Sequence, residues 1–245
     1  MTEVLDAVGV ALAVDEIDAA SDRLLDAVSA LPDDALRAPS ALPGWTRGHV
    51  VTHVARNAEA LLNLLHTAAT GEHRPMYPSM AARNHAIQAG AGRGTEEIAQ
   101  DLAVAAAEFS DAARSMPLEK WNEEVTLITG RVIRARWLLP ARMREVEFHH
   151  VDLDVGYTPA NWDLGFVRAC LDEYVASMSG REGMPDLTLR ATDGRSPDVW
   201  AVRGAGVPQL VTGPRQALLA WVSGRGKGAG LQTGDGGLPA LPSWP

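Results

Sequence analysis

The chain has 245 residues, enough to bury a sizeable core as one large domain or two smaller ones. Hydrophobic residues make up 46% and charged residues 22%, the balance of a globular chain and not of a disordered one. The net charge of −9 argues against a nucleic-acid partner, because phosphate binding rests on Lys and Arg, but it leaves room for small anions held by a few local arginines.

The opening run MTEVLDAVGVALAVDEIDAA carries acids where an export signal needs basic residues. No stretch approaches about eighteen uninterrupted apolar residues, so a membrane span is not expected either. Residues 3–30 place Ala, Leu, Val and Asp at helical spacing, and Leu31-Pro32-Asp33-Asp34 ends that helix. A second helix starts behind the Pro43-Gly44 turn with Thr46 as its N-cap and runs to Gly71, a C-terminal stop. Val50, Val54, Leu61, Leu62 and Leu65 form its core face. Residues 73–94 are polar and marked by Pro and Gly, with room for one short helix. A third helix fits 95–115, with Thr95 as N-cap, Glu96 and Glu97 in the first turn, and Ile98, Leu102, Ala106 and Phe109 as its stripe. A fourth fits 132–152, where Pro140 marks a kink or a late start. Four long helices with short links predict an antiparallel four-helix bundle over residues 1–157.

After residue 157 the pattern changes. Asn161 to Met178 reads as a helix with Trp162, Phe166, Cys170 and Tyr174 along one side. Strands are expected at 186–192, 198–204 and 208–213, joined by turns at Asp193-Gly194 and Gly204–Gly206. Residues 214–224 read as a closing helix before a Gly- and Pro-rich tail. The class is therefore α+β, with a helical bundle at 1–157 and a smaller α+β domain at 158–245. Cys170 is the only cysteine, so no intrachain disulfide can form, and a soluble cytoplasmic protein is expected. A monomer is expected, with a dimer allowed.

The chemistry concentrates on two helices. Glu145 and His149 are four residues apart, so both side chains leave one helix face about a turn apart, and Arg142 and Asp152 extend the same polar line. The second helix offers His49 and His53, also four apart, and spacing does not choose between them. Two imidazoles and one carboxylate make the three-ligand set of a catalytic zinc site, which leaves a fourth position open. Manganese, iron or nickel suit a similar N/O set. The same Glu–His spacing also occurs in plain surface pairs.

Four segments carry a family resemblance: LPGWTRGHVVTHVARNAEAL (42–61), MYPSMAARN (76–84), REVEFHHVDL (144–153) and SGRGKG (223–228). In this order and spacing they resemble the mycothiol-dependent maleylpyruvate isomerases, which belong to the DinB-like metal-binding bundles. The resemblance implies a divalent metal, zinc first, on His53, Glu145 and His149. It selects His53 over His49. It further implies cis–trans isomerisation of maleylpyruvate to fumarylpyruvate in gentisate breakdown, with the thiol mycothiol as cofactor. Arg83 and Arg225 match positions that bind the dicarboxylate substrate, a task suited to the guanidinium fork. Asp152 is expected to orient a ligand histidine, to touch the cofactor, or to cap its helix. Cys170 lies on an apolar helix side, so the cofactor is the expected source of the nucleophilic thiol. A metal with an open site can bind such a thiol and hold it deprotonated. The thiolate would add reversibly to the conjugated double bond, and the negative charge that develops needs a cation such as either arginine.

Two other readings stay open: transfer of the same thiol to a different electrophile, and a non-catalytic metal-binding module. A phosphate loop at GRGKGAG is excluded, because Gly228 follows Lys227 where Ser or Thr is required. A serine hydrolase is excluded by the lack of G-x-S-x-G.

Overall fold

Asp6 opens the first helix by accepting the Gly9 N–H at 2.7 Å, so that α1 runs Ala7–Ser29. The computed structural model describes residues 6–194, 197–234 and 237–244. The chain divides into two units, Met1–Val155 and Gly156–Pro245.

In the first unit, α2 (Asp33–Arg37), α3 (Arg47–Thr70), α4 (Met80–Gly90), α5 (Thr95–Ser115) and α6 (Leu138–Asp152) follow α1. Helix α3 begins at the Thr46 cap and ends where Gly71 takes φ 78°, a left-handed conformation that glycine adopts at little cost. Val14, Ile17 and Leu24 of α1 share one core with Val50, Val54 and Leu61 of α3, Ile98, Leu102 and Phe109 of α5, and Leu138 and Val146 of α6. Helix α3 packs against α4, α5 and α6, and α1 against α5 and α6.

Three local expectations need correction. Helix α6 starts at Leu138, not at 132, because residues 132–134 pair with 124–126 as an antiparallel hairpin, β1 (Glu124–Thr126) and β2 (Val132–Arg134). Gly130 at φ 82° makes that turn, and Pro140 falls in the first helical turn, where its missing N–H costs nothing. Thr95 is not the cap of α5. Gly94 holds the cap position, and Asp33 of α2 accepts the Thr95 N–H at 2.7 Å, so the cap comes from 62 residues upstream. The Pro32-Asp33-Asp34 stop also starts a helix, with Pro32 at the N-cap position and Asp33 and Asp34 in the first turn, where acids are favourable.

In the second unit, α7 spans Leu164–Met178 behind an Asp163 cap, three residues later than expected because Pro159–Asn161 forms a 3-10 turn. Strands β3 (Pro185–Ala191), β4 (Val199–Val202), β5 (Ala205–Gly213) and β6 (Gln232–Thr233) form a sheet in the order β4-β3-β5-β6. β3 and β5 are parallel and the other pairs antiparallel. Helix α8 (Arg215–Val222) follows β5 and packs on α7. The Gly- and Pro-rich tail supplies β6. The protein is α+β, mostly helical with small sheets. No helix among the described residues is long and apolar enough to cross a membrane.

Candidate metal centre

Helices α3 and α6 pack together and bring His53 to Glu145 and His149. His53 Nε2 lies 3.1 Å from Glu145 Oε2, and His149 Nε2 lies 3.4 Å from the same oxygen. Ligands arranged tetrahedrally about a metal at roughly 2.0–2.1 Å stand about 3.3 Å apart, so these separations suit one shared ion. The two rings meet edge to face, with centroids 4.7 Å apart and planes at 83°. Glu145 Oε2 is buried without a directed hydrogen bond, although two imidazole nitrogens flank it. A buried carboxylate oxygen in that condition is costly unless a cation meets it. The residues present therefore fit a divalent metal. The Glu145 side chain is 26% exposed, against 9% for His53 and 13% for His149, so the cluster has an open side.

Asp152, 2% exposed, places Oδ2 2.9 Å from His149 Nδ1. Burial pushes both histidines toward the neutral form. At His53 burial wins over the neighbouring Glu145, and the pKa falls. At His149 burial is outweighed by Asp152 and Glu145, and the pKa rises. Burial alone would raise Glu145, but the two histidines outweigh it and hold the carboxyl well below its usual range.

Arg142 sits beneath the cluster with no exposure at all. Its Nη1 donates to the Val54 carbonyl at 2.8 Å and to Asn57 Oδ1 at 3.1 Å, which ties α6 to α3 within a turn of both helices' ligands. Burial pulls its pKa down to about 10, against the opposing effect of Glu145 and Tyr77. The polar line read along this helix therefore faces inward at Arg142 and Asp152.

His49 is engaged elsewhere. Its Nδ1 accepts the Thr46 N–H at 3.2 Å in a capping box, and Nε2 lies 3.1 Å from Gln88 Oε1. Because Nδ1 is the acceptor, Nε2 carries the proton and donates to Gln88.

Arg83 lies one turn into α4, the short helix for which 73–94 had room, and Ser79 caps that helix by accepting the Ala82 N–H. Its Nη2 reaches to 3.1 Å from His53 Nδ1. Thus His53, Glu145, His149, Asp152 and Arg83 gather in the first unit. Arg225 belongs to the second, just after α8, where its N–H donates to the Ala220 carbonyl at 2.7 Å and its Nη1 to the Ser223 carbonyl at 3.1 Å. Sequence reasoning passed over two aromatics. Trp45 meets the His53 ring edge to face at 5.5 Å, and the Tyr77 ring lies under Arg83. Each was an isolated large aromatic in a segment already singled out, WTRGHVV or MYPSMAARN.

Comparisons with known proteins bear on the same elements. Among curated protein sequences none matches. Two crystal structures are similar over 96% of this chain and 97% of theirs, both at 28% identity. One is of the mycothiol-dependent maleylpyruvate isomerase, with a TM-score of 0.88, and the other is of its histidine-to-alanine mutant, with a TM-score of 0.87. Residues 17–154, which include every ligand of the candidate centre, match the family described as the mycothiol maleylpyruvate isomerase N-terminal domain. By that match, over more than half of its length, the chain belongs to this family.

Proposed function

We propose that this chain is a mycothiol-dependent cis–trans isomerase that converts maleylpyruvate to fumarylpyruvate, with a divalent metal, zinc first, on His53, Glu145 and His149. The observation that carries the reading is one buried oxygen, Glu145 Oε2, flanked by two imidazole nitrogens beside an open side and an arginine. The long similarity to the two isomerase structures supports it. The helices α1, α3, α5 and α6 are read as the antiparallel bundle that holds the ion, residues 1–157 as the metal-binding domain, and 158–245 as a smaller second domain.

A metal held by these residues would keep a cofactor thiol deprotonated near neutral pH, supplying the nucleophile for reversible addition to the conjugated double bond. The protein's own groups do the rest. His53 and His149 present neutral nitrogens, and Asp152 holds the His149 proton on Nδ1, away from the ligand atom. Glu145 adds a negative ligand, which Arg142 partly offsets from below. Arg83 binds a substrate carboxylate and stabilises the negative charge that builds on the substrate during addition. Arg225 is assigned to the substrate as well, on the resemblance of SGRGKG alone.

The test joins metal content to turnover. Wild type and His53→Ala are purified, bound metals are quantified, and loss of maleylpyruvate is followed with and without mycothiol. One equivalent of zinc in wild type, lost in the variant, with turnover only when thiol is present, is the expected result. Metal without turnover would move the assignment to thiol transfer onto another electrophile. Wild type that binds no metal would overturn it.

A further inference from the structure

Arg83 is held by three partners, and one of them competes with the metal. Its Nη2 lies 3.1 Å from His53 Nδ1, its Nη1 donates to Asn84 Oδ1 at 3.1 Å, and its guanidinium carbon stands 5.8 Å from the centre of the Tyr77 ring. A guanidinium has only donors, so the His53 contact needs a lone pair on Nδ1 and leaves the ring proton on Nε2. Yet Nε2 is the atom that faces Glu145 Oε2. A metal bound there takes the Nε2 lone pair, and the proton must then sit on Nδ1. Two N–H groups would face each other across 3.1 Å. A metal at Nε2 would therefore be incompatible with the His53 contact and would leave Arg83 to its other partners.

What then holds the guanidinium is its exposed neighbour Asn84 and the Tyr77 ring. Tyr77 is the fixed member of that pair. Pro78 follows it and restricts its backbone, and the sulfur of Met76 before it accepts the Ile128 N–H at 3.2 Å. Burial raises its phenol pKa against the pull of Arg83, so the ring stays neutral and keeps an electron-rich face for a cation. Its hydroxyl end lies near the Arg83 guanidinium as well, and within electrostatic reach of Glu145 and Arg142.

We propose that Tyr77 is a positioning residue: its ring carries the Arg83 guanidinium and sets where that fork meets a substrate carboxylate once the metal has claimed His53. The inference rests on the proposed function only in giving Arg83 a carboxylate to bind. It is tested by binding, not turnover, with maleate as an unreactive cis-dicarboxylate probe. Zinc-loaded wild type, Tyr77→Leu, Tyr77→Phe, Arg83→Met and the Tyr77→Leu/Arg83→Met double variant are titrated by calorimetry, and bound zinc is counted in each. Tyr77→Leu is expected to weaken maleate binding about tenfold or more with one zinc retained, and Tyr77→Phe, which keeps the ring and loses only the hydroxyl near Arg83, to lose less than Tyr77→Leu. The double variant should bind no more weakly than Arg83→Met alone, because Tyr77 acts through Arg83. Wild-type affinity in Tyr77→Leu, losses that multiply in the double variant, or zinc lost from Tyr77→Leu would overturn the proposal. So would a wild type that binds no maleate. Maleate bound as expected, without thiol-dependent turnover of maleylpyruvate, would sink the isomerase reading and leave the Tyr77 result standing.

Discussion

Asp152 Oδ2 lies 2.9 Å from His149 Nδ1, while the other ring nitrogen, Nε2, faces Glu145. A carboxylate at that position keeps the ring proton on Nδ1 and the lone pair on Nε2, which is the tautomer a metal ligand requires. Asp152→Asn removes the charge and leaves the shape. We predict a loss of metal affinity of about 10–100-fold, read by competition with a chromophoric chelator. An affinity within about twofold of wild type would show that Asp152 does not act through His149.

Arg142 is the tie between the two ligand helices. Arg142→Met leaves the Val54 carbonyl and Asn57 Oδ1 without their shared donor, and losing such charged hydrogen bonds costs about 1.5–3 kcal/mol each. The apolar replacement offsets part of this, because the fully buried Arg142 also carries two nitrogens, Nε and Nη2, without partners. A net loss of about 1–3 kcal/mol is expected in urea unfolding of the metal-free protein. A midpoint equal to that of wild type would mean that burying the cation costs as much as its bonds return.

Tyr174, fully buried on α7, has its phenol pKa pushed up to about 12 by burial, with Arg181 opposing. The unfolded chain ionises this group near 10. Between those values the folded state holds a proton that the unfolded state has lost, so stability falls as pH rises through the window. Tyr174→Phe removes that term at little other cost, since the hydroxyl's contact is a long one, 3.9 Å to the Met184 sulfur. Its alkaline unfolding midpoint should lie at higher pH than that of wild type. Superimposable alkaline transitions would refute the assignment.

Gly48 lets α3 pass close to the end of α4. A side-chain carbon there would run into the carbonyl oxygen of Ala91, which is backbone and cannot turn aside. Gly48→Ala should cost about 1–3 kcal/mol, the penalty of overpacking, despite alanine's better helix propensity. Thermal unfolding measures it, and an unchanged Tm would show that α4 shifts freely.

The long helices and the ligand pair on one of them could be read from the chain itself. Helical period, the Thr46 cap and the Gly71 stop are local signals, and four-residue spacing is a property of a single helix, so Glu145 and His149 needed no tertiary information to share a face. The hairpin at β1 and β2 escaped because Val132 and Ile133 fit either period in so short a run. The cap of α5 escaped because Asp33 lies 62 residues away in sequence.

Composition, spacing and resemblance by themselves determined an α+β chain with a candidate His/Glu/His centre on two helices, because periodicity and i, i+4 geometry depend on neighbours in sequence. Spacing left both histidines of α3 open and the resemblance selected His53; tertiary structure engages His49 with Thr46 and Gln88 and turns His53 toward Glu145. It also decided that Arg142 and Asp152 lie inward and that Tyr77 lies beneath Arg83. Most of these contacts join residues far apart in the chain, His53 to Glu145 and Arg142 to Val54 among them, and which donor finds which acceptor is set only when helices pack and buried polar groups must find partners.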